Sequence, residues 1–482
     1  MPSFVIPDYS SSAGLPAAAP ILSERAVSRT PLALPEWVGQ HNMGGEGRRL
    51  LIRGACIVTM DPAVPDLVSG DVLIEGSRIA AIAPTIDADC ESVDARGMIL
   101  CPGFIDTHRH CWQNVFRRFA PNILWLTYRA TSDQAAIVYR PEDVLIGNLL
   151  TCLGAIDSGV TTLLDWSHIS NSPDHSDAAI DGLRRSGIRA VYGYGQSRCN
   201  HPNSLYPDDI RRLRRDVLSS DDGLVTLCLA ADIDRYQHWR IGRELGLRIT
   251  AHAARRPELM AEIHRQGLMA DDTTFIHCTD LDDLAWRHIS DSGATLSLAV
   301  TSVAQLGVAG GLPPIQRALD LGIRPSLSID VEVSLPGDMF TQMRAMLALQ
   351  RSAANERRMR GDGKDVPCLS VRDVLGFSTV EGARALGMLH KTGTLAPGKQ
   401  ADLILIEADA INTLPLNNAI GTIVSGADGR NVTAVMIAGR WAKWAGALVD
   451  VDISHIRRLA EASRDWVVEQ SGLESSLFGD GY

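Results

Sequence analysis

The sequence predicts an α/β chain: a (β/α)8 TIM barrel with a small discontinuous β-sandwich domain. Three observations carry this. Eight strand-like apolar runs alternate with helix-like segments through the middle of the chain. Short β-branched runs gather before and after them. The length of 482 residues is more than one ordinary compact core holds.

Residues 1–46 are rich in Ser, Pro and Ala and are expected to form an extended arm. Their opening, "MPSFVIPDYSSSAGLPAAAP", lacks the basic region and continuous apolar core of a signal peptide. "RRLLIRGACIVTMDP", "DVLIEGSRIAAIAP" and "ESVDARGMIL" follow as short strands separated by turn residues. A matching set returns in "GTLAPGKQADLILIEAD" and "NVTAVMIAGRWAKWAG", so residues 47–100 and 391–449 are expected to complete one composite sandwich. Between them, residues 101–390 hold the barrel. Its runs are "ILCPGFIDTHRH", "VTTLLDWSH", "IRAVYGYGQ", "LVTLCLAAD", "LRITAH", "TTFIHC", "ATLSLAV" and "RPSLSID". Intervening stretches such as "SDAAIDGLRRSG" have helical apolar spacing and end at Gly. A doubly wound open sheet is disfavoured, because no GxGxxG opens a helix after the first strand. Residues 450–482 are expected to form a helical tail.

Composition narrows the function. A formal net charge of −11 argues against nucleic acid or an anionic membrane surface as partner, and no stretch approaches a transmembrane length. Nine scattered cysteines, never spaced CxxC, are the pattern of reduced thiols in a cytoplasmic protein. The only lysines are Lys364, Lys391, Lys399 and Lys443, which excludes a Schiff base, a P-loop or a carboxylated-lysine metal bridge before residue 364.

Catalytic side chains of such barrels stand at the C-terminal ends of the strands. Here the first run ends in His108 and His110, which alternation places on one face with Arg109 on the other. The second ends in His168, the fifth in His252, the sixth in His277 and the eighth in Asp330. Imidazoles and a carboxylate converging on one mouth suit Zn2+, Fe2+ or Co2+. A closed structural metal site is the competing reading, as is a set of hydrogen-bonded core histidines. Arg109 points into the wall, where it needs a carboxylate partner. Trp112, Trp125, Tyr128 and Trp166 are candidates for an apolar pocket wall.

These strand ends resemble the amidohydrolase superfamily, and within it the cytosine-deaminase-like branch that includes atrazine- and triazine-chlorohydrolase relatives. "PGFIDTHRHCWQ" is similar to the first-strand motif of that branch, an HxH followed three residues on by glutamine. "ITAH", "FIHC" and "LSID" are similar to its fifth-, sixth- and eighth-strand motifs, and "LAPGKQADLILIE" to its composite small domain. The resemblance implies one divalent metal, Zn2+ first, held by His108, His110, His252 and Asp330. It implies that His277 polarises the substrate or relays a proton, that Asp330 accepts the proton of a metal-activated water, and that Gln113 reaches a substrate heteroatom. It also implies a small-molecule substrate and a homo-oligomer, dimer or tetramer. His168 is a further substrate-binding candidate.

One departure bears on the reaction. Deaminases of that branch read HxxE after the fifth strand, where this chain reads "HAAR". Arg255 cannot shuttle a proton at neutral pH but is shaped to bind a carboxylate or carbonyl. Glu258, Asp232, Glu332 and His168 are the candidates to replace the missing acid. The expected function is therefore metal-dependent hydrolysis of a non-peptide C–N bond in an amide, urea or carbamate, with deamination of an N-heterocycle as the alternative.

Overall fold

A computed structural model describes residues 36–43, 45, 47–361 and 366–479 of the chain. Most of the arm expected over 1–46 lies outside the described residues. Within it, Glu36–Met43 is a helix whose His41 donates to the Gly439 carbonyl at 3.0 Å.

Strands β1 (Arg49–Ile57), β2 (Leu67–Glu75), β3 (Arg78–Ala83), β4 (Glu91–Asp94) and β5 (Met98–Pro102) open the chain. The barrel strands are β6 (Phe104–Arg109), β7 (Val160–Ser167), β8 (Arg189–Gly195) and β9 (Val225–Ala230), then β10 (Ile249–Ala254), β11 (Thr273–Thr279), β12 (Thr295–Leu298) and β13 (Ser326–Leu327). Strands β14 (Leu403–Glu407), β15 (Val432–Ile437), β16 (Arg440–Trp444) and β17 (Ala447–Leu448) return to the first set, and together the two sets make one nine-stranded sheet. Val72 and Ile79 near one end of that sheet share a buried cluster with Leu403 and Trp441 toward the other, so the sheet folds over its own core.

The apolar run "MILCPGFID" is split at its Pro-Gly bend. β5 pairs with β14 in the small sheet, and β6 enters the barrel. Only glycine fits at the crossover, because a Cβ on Gly103 would lie 2.1 Å from Thr161.

β6 to β13 pair consecutively and in parallel. The ring is closed by residues of the candidate site: Asp330 N–H donates to His108 O and His110 N–H to Asp330 O, each at 2.9 Å. Inside, Ile105, Leu164, Val191, Cys228 and Ile276 pack with Ala383, Leu386 and Met388, which follow the barrel in sequence. The Arg248 side chain, at the N-terminal end of β10, bonds the Ala385 carbonyl at 3.0 Å, so this apolar plug closes the N-terminal end. The barrel cavity opens at the opposite mouth.

The last described helix, Ile453–Ser471, is capped by the Asp452 side chain and packs on Pro141–Asp157. Among the described residues no helix is long and apolar enough to cross a membrane. All nine cysteines are free.

Candidate metal centre and cavity

Each candidate ligand sits at a strand end, where alternation turns it into the mouth. His108 Nε2 and His110 Nε2 lie 3.2 and 3.3 Å from Asp330 Oδ1, and His252 Nε2 lies 3.2 Å from His108 Nε2. His277 Nε2 stands 3.7 Å from Asp330 Oδ2. The donor atoms of His108, His110 and Asp330, and those of His108, His252 and His277, each fall within 4.8 Å of one another.

The donor set fits a divalent cation. His110 Nδ1 donates to the Trp166 carbonyl at 2.8 Å, which fixes the tautomer and leaves the Nε2 lone pair aimed at the cluster. Burial pushes His108 down to about 3 and His252 well below the ordinary imidazole range, with neighbouring imidazoles adding to the fall in both. His277 is lowered by burial as well. Among the described residues the buried Asp330 carboxylate is crowded by imidazoles and has no Arg or Lys partner. A metal ion satisfies that arrangement.

The site stores backbone strain. His277 (φ 65°), Cys278 (φ 53°) and Asp330 (φ 72°) all lie in the left-handed region. The β10–β11 register slips by one residue there, with Ala253 opposite His277 and Ala254 opposite Thr279. Such a bulge re-aims a side chain, and each left-handed non-glycine costs on the order of 1–3 kcal/mol. The outliers cluster at the candidate ligand positions. No spacing in the sequence announces it.

Arg109 finds two carboxylates where the sequence asks for one. Its Nε donates to Asp106 Oδ2 at 2.6 Å and its Nη1 to Glu332 Oε1 at 2.8 Å. Asp106 in turn accepts from the backbone N–H of His108 and of Ile329, at 3.3 and 3.1 Å. Glu332 also takes Arg117, Arg118 and Asn114 at 2.7, 2.8 and 2.8 Å. Burial alone would raise the Glu332 carboxyl, but Arg109 and Arg117 hold it at about 2. The network clamps the end of β6 to the segment carrying Asp330.

A cavity of about 410 Å³ opens beside the cluster, lined by His110, His252, His277 and Asp330 together with the aromatic rings of Trp125, Tyr128 and Trp166. Arg129, Arg198, Arg235 and Arg256 also line it. His168 lies one residue past β7 with its ring stacked on His110, centroids 4.0 Å apart. Trp112 Nε1, a donor only, points at His168 Nδ1 at 2.9 Å, and Arg198 Nη1, also a donor only, points at His168 Nε2 at 3.2 Å. A neutral imidazole accepts at one ring nitrogen, so it takes one of these two donors.

Two sequence candidates are placed elsewhere. Gln113 belongs to a short turn of helix, Cys111–Phe116, that rotates it away from the cavity. The Tyr128 hydroxyl donates to its Oε1 at 3.0 Å, and Ser132 lies 3.5 Å from its Nε2. Arg255 leaves β10 at φ 54°, is exposed, and faces Asp280 with Nε–Oδ2 at 3.5 Å. Its neighbour Arg256 lines the cavity instead. An exposed pair of this kind is worth about 0–1 kcal/mol. Arg255→Ala is accordingly expected to leave kcat/KM within about twofold of the unaltered enzyme in steady-state assays.

Other contacts carry no sequence signal. Ser302, in the helix Val300–Leu306 after β12, donates to Asp330 Oδ2 and fixes that carboxylate. Arg198 is held by Asp133 at 2.6 Å, and nothing in "GQSRCN" marks it.

The geometry accords with what the chain is similar to. It is 27% identical over 425 residues to a 5'-deoxyadenosine deaminase of Methanothermobacter thermautotrophicus, spanning 82% of this chain and 94% of that protein. It is 28% identical over 408 residues to a 5-methylthioadenosine/S-adenosylhomocysteine deaminase of Thermococcus onnurineus, spanning 78% and 90%. Among solved structures, a zinc-bound adenosine deaminase from Xanthomonas campestris superposes with TM-score 0.75 at 22% identity, over 88% of this chain and 100% of that one. The zinc complex of atrazine chlorohydrolase from Arthrobacter aurescens does so with TM-score 0.75 at 19% identity, over 86% and 100%. These two share the fold. Residues 99–442, from β5 through the barrel to β16, match the amidohydrolase family profile, and the chain belongs to that family, as a hydrolase of carbon–nitrogen bonds other than peptide bonds.

Proposed function

We propose that this hydrolase deaminates an amino-substituted N-heterocycle, an aminopurine nucleoside or a compound of similar shape, with one Zn2+ held by His108, His110, His252 and Asp330. The observation that carries the reading is the cavity itself, whose imidazole–carboxylate cluster is flanked by the flat rings of Trp125, Tyr128 and Trp166. Its size suits a small heterocycle, and aromatic walls suit a planar ring. Relatives matched over nine-tenths of their length are named as nucleoside deaminases, which supports the same chemistry.

A divalent cation held by these four residues would supply Lewis acidity and so make water a nucleophile at neutral pH. Asp330 is placed to take a proton from that water and return it to the leaving amine. Ser302 keeps the carboxylate in position. His277 hydrogen-bonds the reacting centre, and the bulge at Cys278 gives it its aim. Arg198, which lines the cavity beside His168, holds an acceptor atom of the substrate.

Amide, urea or carbamate hydrolysis is the second reading, favoured by one observation: Arg255 stands where deaminases of the branch place an acid, and it faces away from the cavity. Product analysis over adenosine, 5'-deoxyadenosine, cytosine, anilides and phenylureas, with and without a chelator, separates the two. Chelator-sensitive release of ammonia is expected. Release of an organic amine with an acid overturns the deaminase reading in favour of the second.

His277→Asn tests the catalytic histidine, since asparagine tolerates the left-handed backbone. We expect full metal content by elemental analysis and turnover lower by roughly 10²–10⁴-fold. Unchanged turnover would remove His277 from the mechanism.

A further inference from the structure

We infer that Asp232 hands its proton to the ring nitrogen beside the carbon under attack, replacing the acid that this chain lacks after its fifth barrel strand. The inference rests on the deaminase reading.

The placement follows from register. β9 and β10 pair in parallel with Ala230 opposite Thr250, and the Ala231 N–H continues the ladder to the Thr250 carbonyl at 2.9 Å. Asp232 is still extended, at φ −76° and ψ 143°. It stands two residues past Ala230, where the pairing with β10 ends, and both Asp232 and His252 line the cavity.

The other candidates are committed or misplaced. Glu258 is exposed on the helix Pro257–Arg265 and is not a lining residue. Glu332 is neutralised by three arginines. His168 has its Nδ1 occupied by Trp112. Among the other cavity acids, Asp133 is paired with Arg198 and Asp330 belongs to the metal cluster. Asp234 lies on the exposed side of the same loop. The Asp232 carboxylate has no hydrogen bond or ion pair among the described residues.

Burial and the neighbouring charge of Asp234 push the Asp232 carboxyl up, while Arg235, Arg129 and Arg198 oppose the rise. Tyr206 also faces it and keeps its own proton, its hydroxyl bonded to the Ala230 carbonyl at 3.3 Å. A carboxyl raised in this way keeps its proton to higher pH than an exposed one, as a general acid requires.

The step balances. Water oxygen bonds to the ring carbon that bears the amine, and one water proton passes to Asp330. The electron pair of the ring C=N bond moves to nitrogen, which takes the proton of Asp232. The C–N bond to the amine then breaks, and the amine leaves as ammonia with the proton from Asp330. The remaining hydroxyl proton is released as the carbonyl forms, and Asp232 regains a proton from solvent.

The test uses the whole metal-loaded enzyme, the aminoheterocycle of the panel that the unaltered protein turns over fastest, and its deaminated product as a binding probe. Asp232→Asn is expected to lower kcat by roughly 10²–10⁴-fold while metal content and product affinity stay within about twofold. Asp232→Glu is expected to restore part of the rate. In the unaltered enzyme kcat/KM is expected to fall as pH rises through the raised Asp232 pKa, and that limb to vanish in Asp232→Asn. Turnover of Asp232→Asn within about tenfold of the unaltered enzyme overturns the inference alone, as does a rate loss matched by loss of metal. If the Asn variant does not fold, the alkaline limb of the unaltered enzyme and the Glu variant decide, and absence of that limb overturns it. No ammonia from any aminoheterocycle with the unaltered enzyme overturns the deaminase reading and this inference together.

Discussion

Asp330→Asn is expected to fold normally and to lose its metal and, with it, turnover by roughly 10³-fold or more, the several kcal/mol a Lewis acid contributes. The substitution isolates charge from shape. Asparagine is isosteric with aspartate and accepts the left-handed backbone at φ 72°, so the strain at this position is unchanged. It can still accept the Ser302 hydroxyl, and its backbone still closes the barrel through His108 O and His110 N–H. What disappears is the negative charge of the carboxylate that His108, His110 and His277 face. Elemental analysis after dialysis reads the metal, and an ammonia assay reads the chemistry. Metal retained at the level of the unaltered protein would place the ion elsewhere. His108→Ala provides the companion result through a nitrogen ligand, with a cavity cost of its own.

The second large effect lies behind the site. Arg109→Leu removes a fully buried guanidinium and leaves Asp106 and Glu332 as carboxylates deprived of their central partner. Removing one member of a buried pair costs about 3–5 kcal/mol. A clear fall in the urea and thermal unfolding midpoints is therefore expected. The variant should also bind metal roughly 10–100-fold more weakly, because Asp106 orients the backbone of His108 and of Ile329 beside Asp330. Wild-type midpoints and metal affinity would mean that Arg117 and Arg118 carry the network alone. Gly337 belongs to the same unit: its carbonyl accepts Arg109 Nη2 at 3.2 Å, and a Cβ there would lie 2.3 Å from the Glu332 carboxyl.

Much of this molecule is legible in its residues, for a physical reason. A strand buried in a barrel is largely apolar until it reaches the mouth, so imidazoles and a carboxylate at the ends of such runs point to the cavity. That is why His108, His110, His252, His277 and Asp330 stand out. The Pro-Gly bend in "MILCPGFID" likewise marks where one run serves two sheets.

The reading fails where direction depends on backbone irregularity. Arg255 turns outward because its φ is positive, and a helical turn after β6 carries Gln113 under Tyr128. The cation that lines the cavity is the next residue, Arg256. Arg198 and Ser302 come from a loop and a short helix, where no periodicity points inward. Asp232 is nameable from sequence as one of four candidate acids, and the structure separates it from the other three by its place in the cavity wall and by the partners that occupy Glu332 and His168.

One catalytic metal in a mouth without lysine is tested most directly by titration. The protein is stripped with a chelator, and Zn2+ is added back in fractions of an equivalent while ammonia release is followed. Activity rising linearly to one equivalent per chain and then levelling is the predicted result. Full activity in the stripped protein, or a break only at two equivalents, would contradict it.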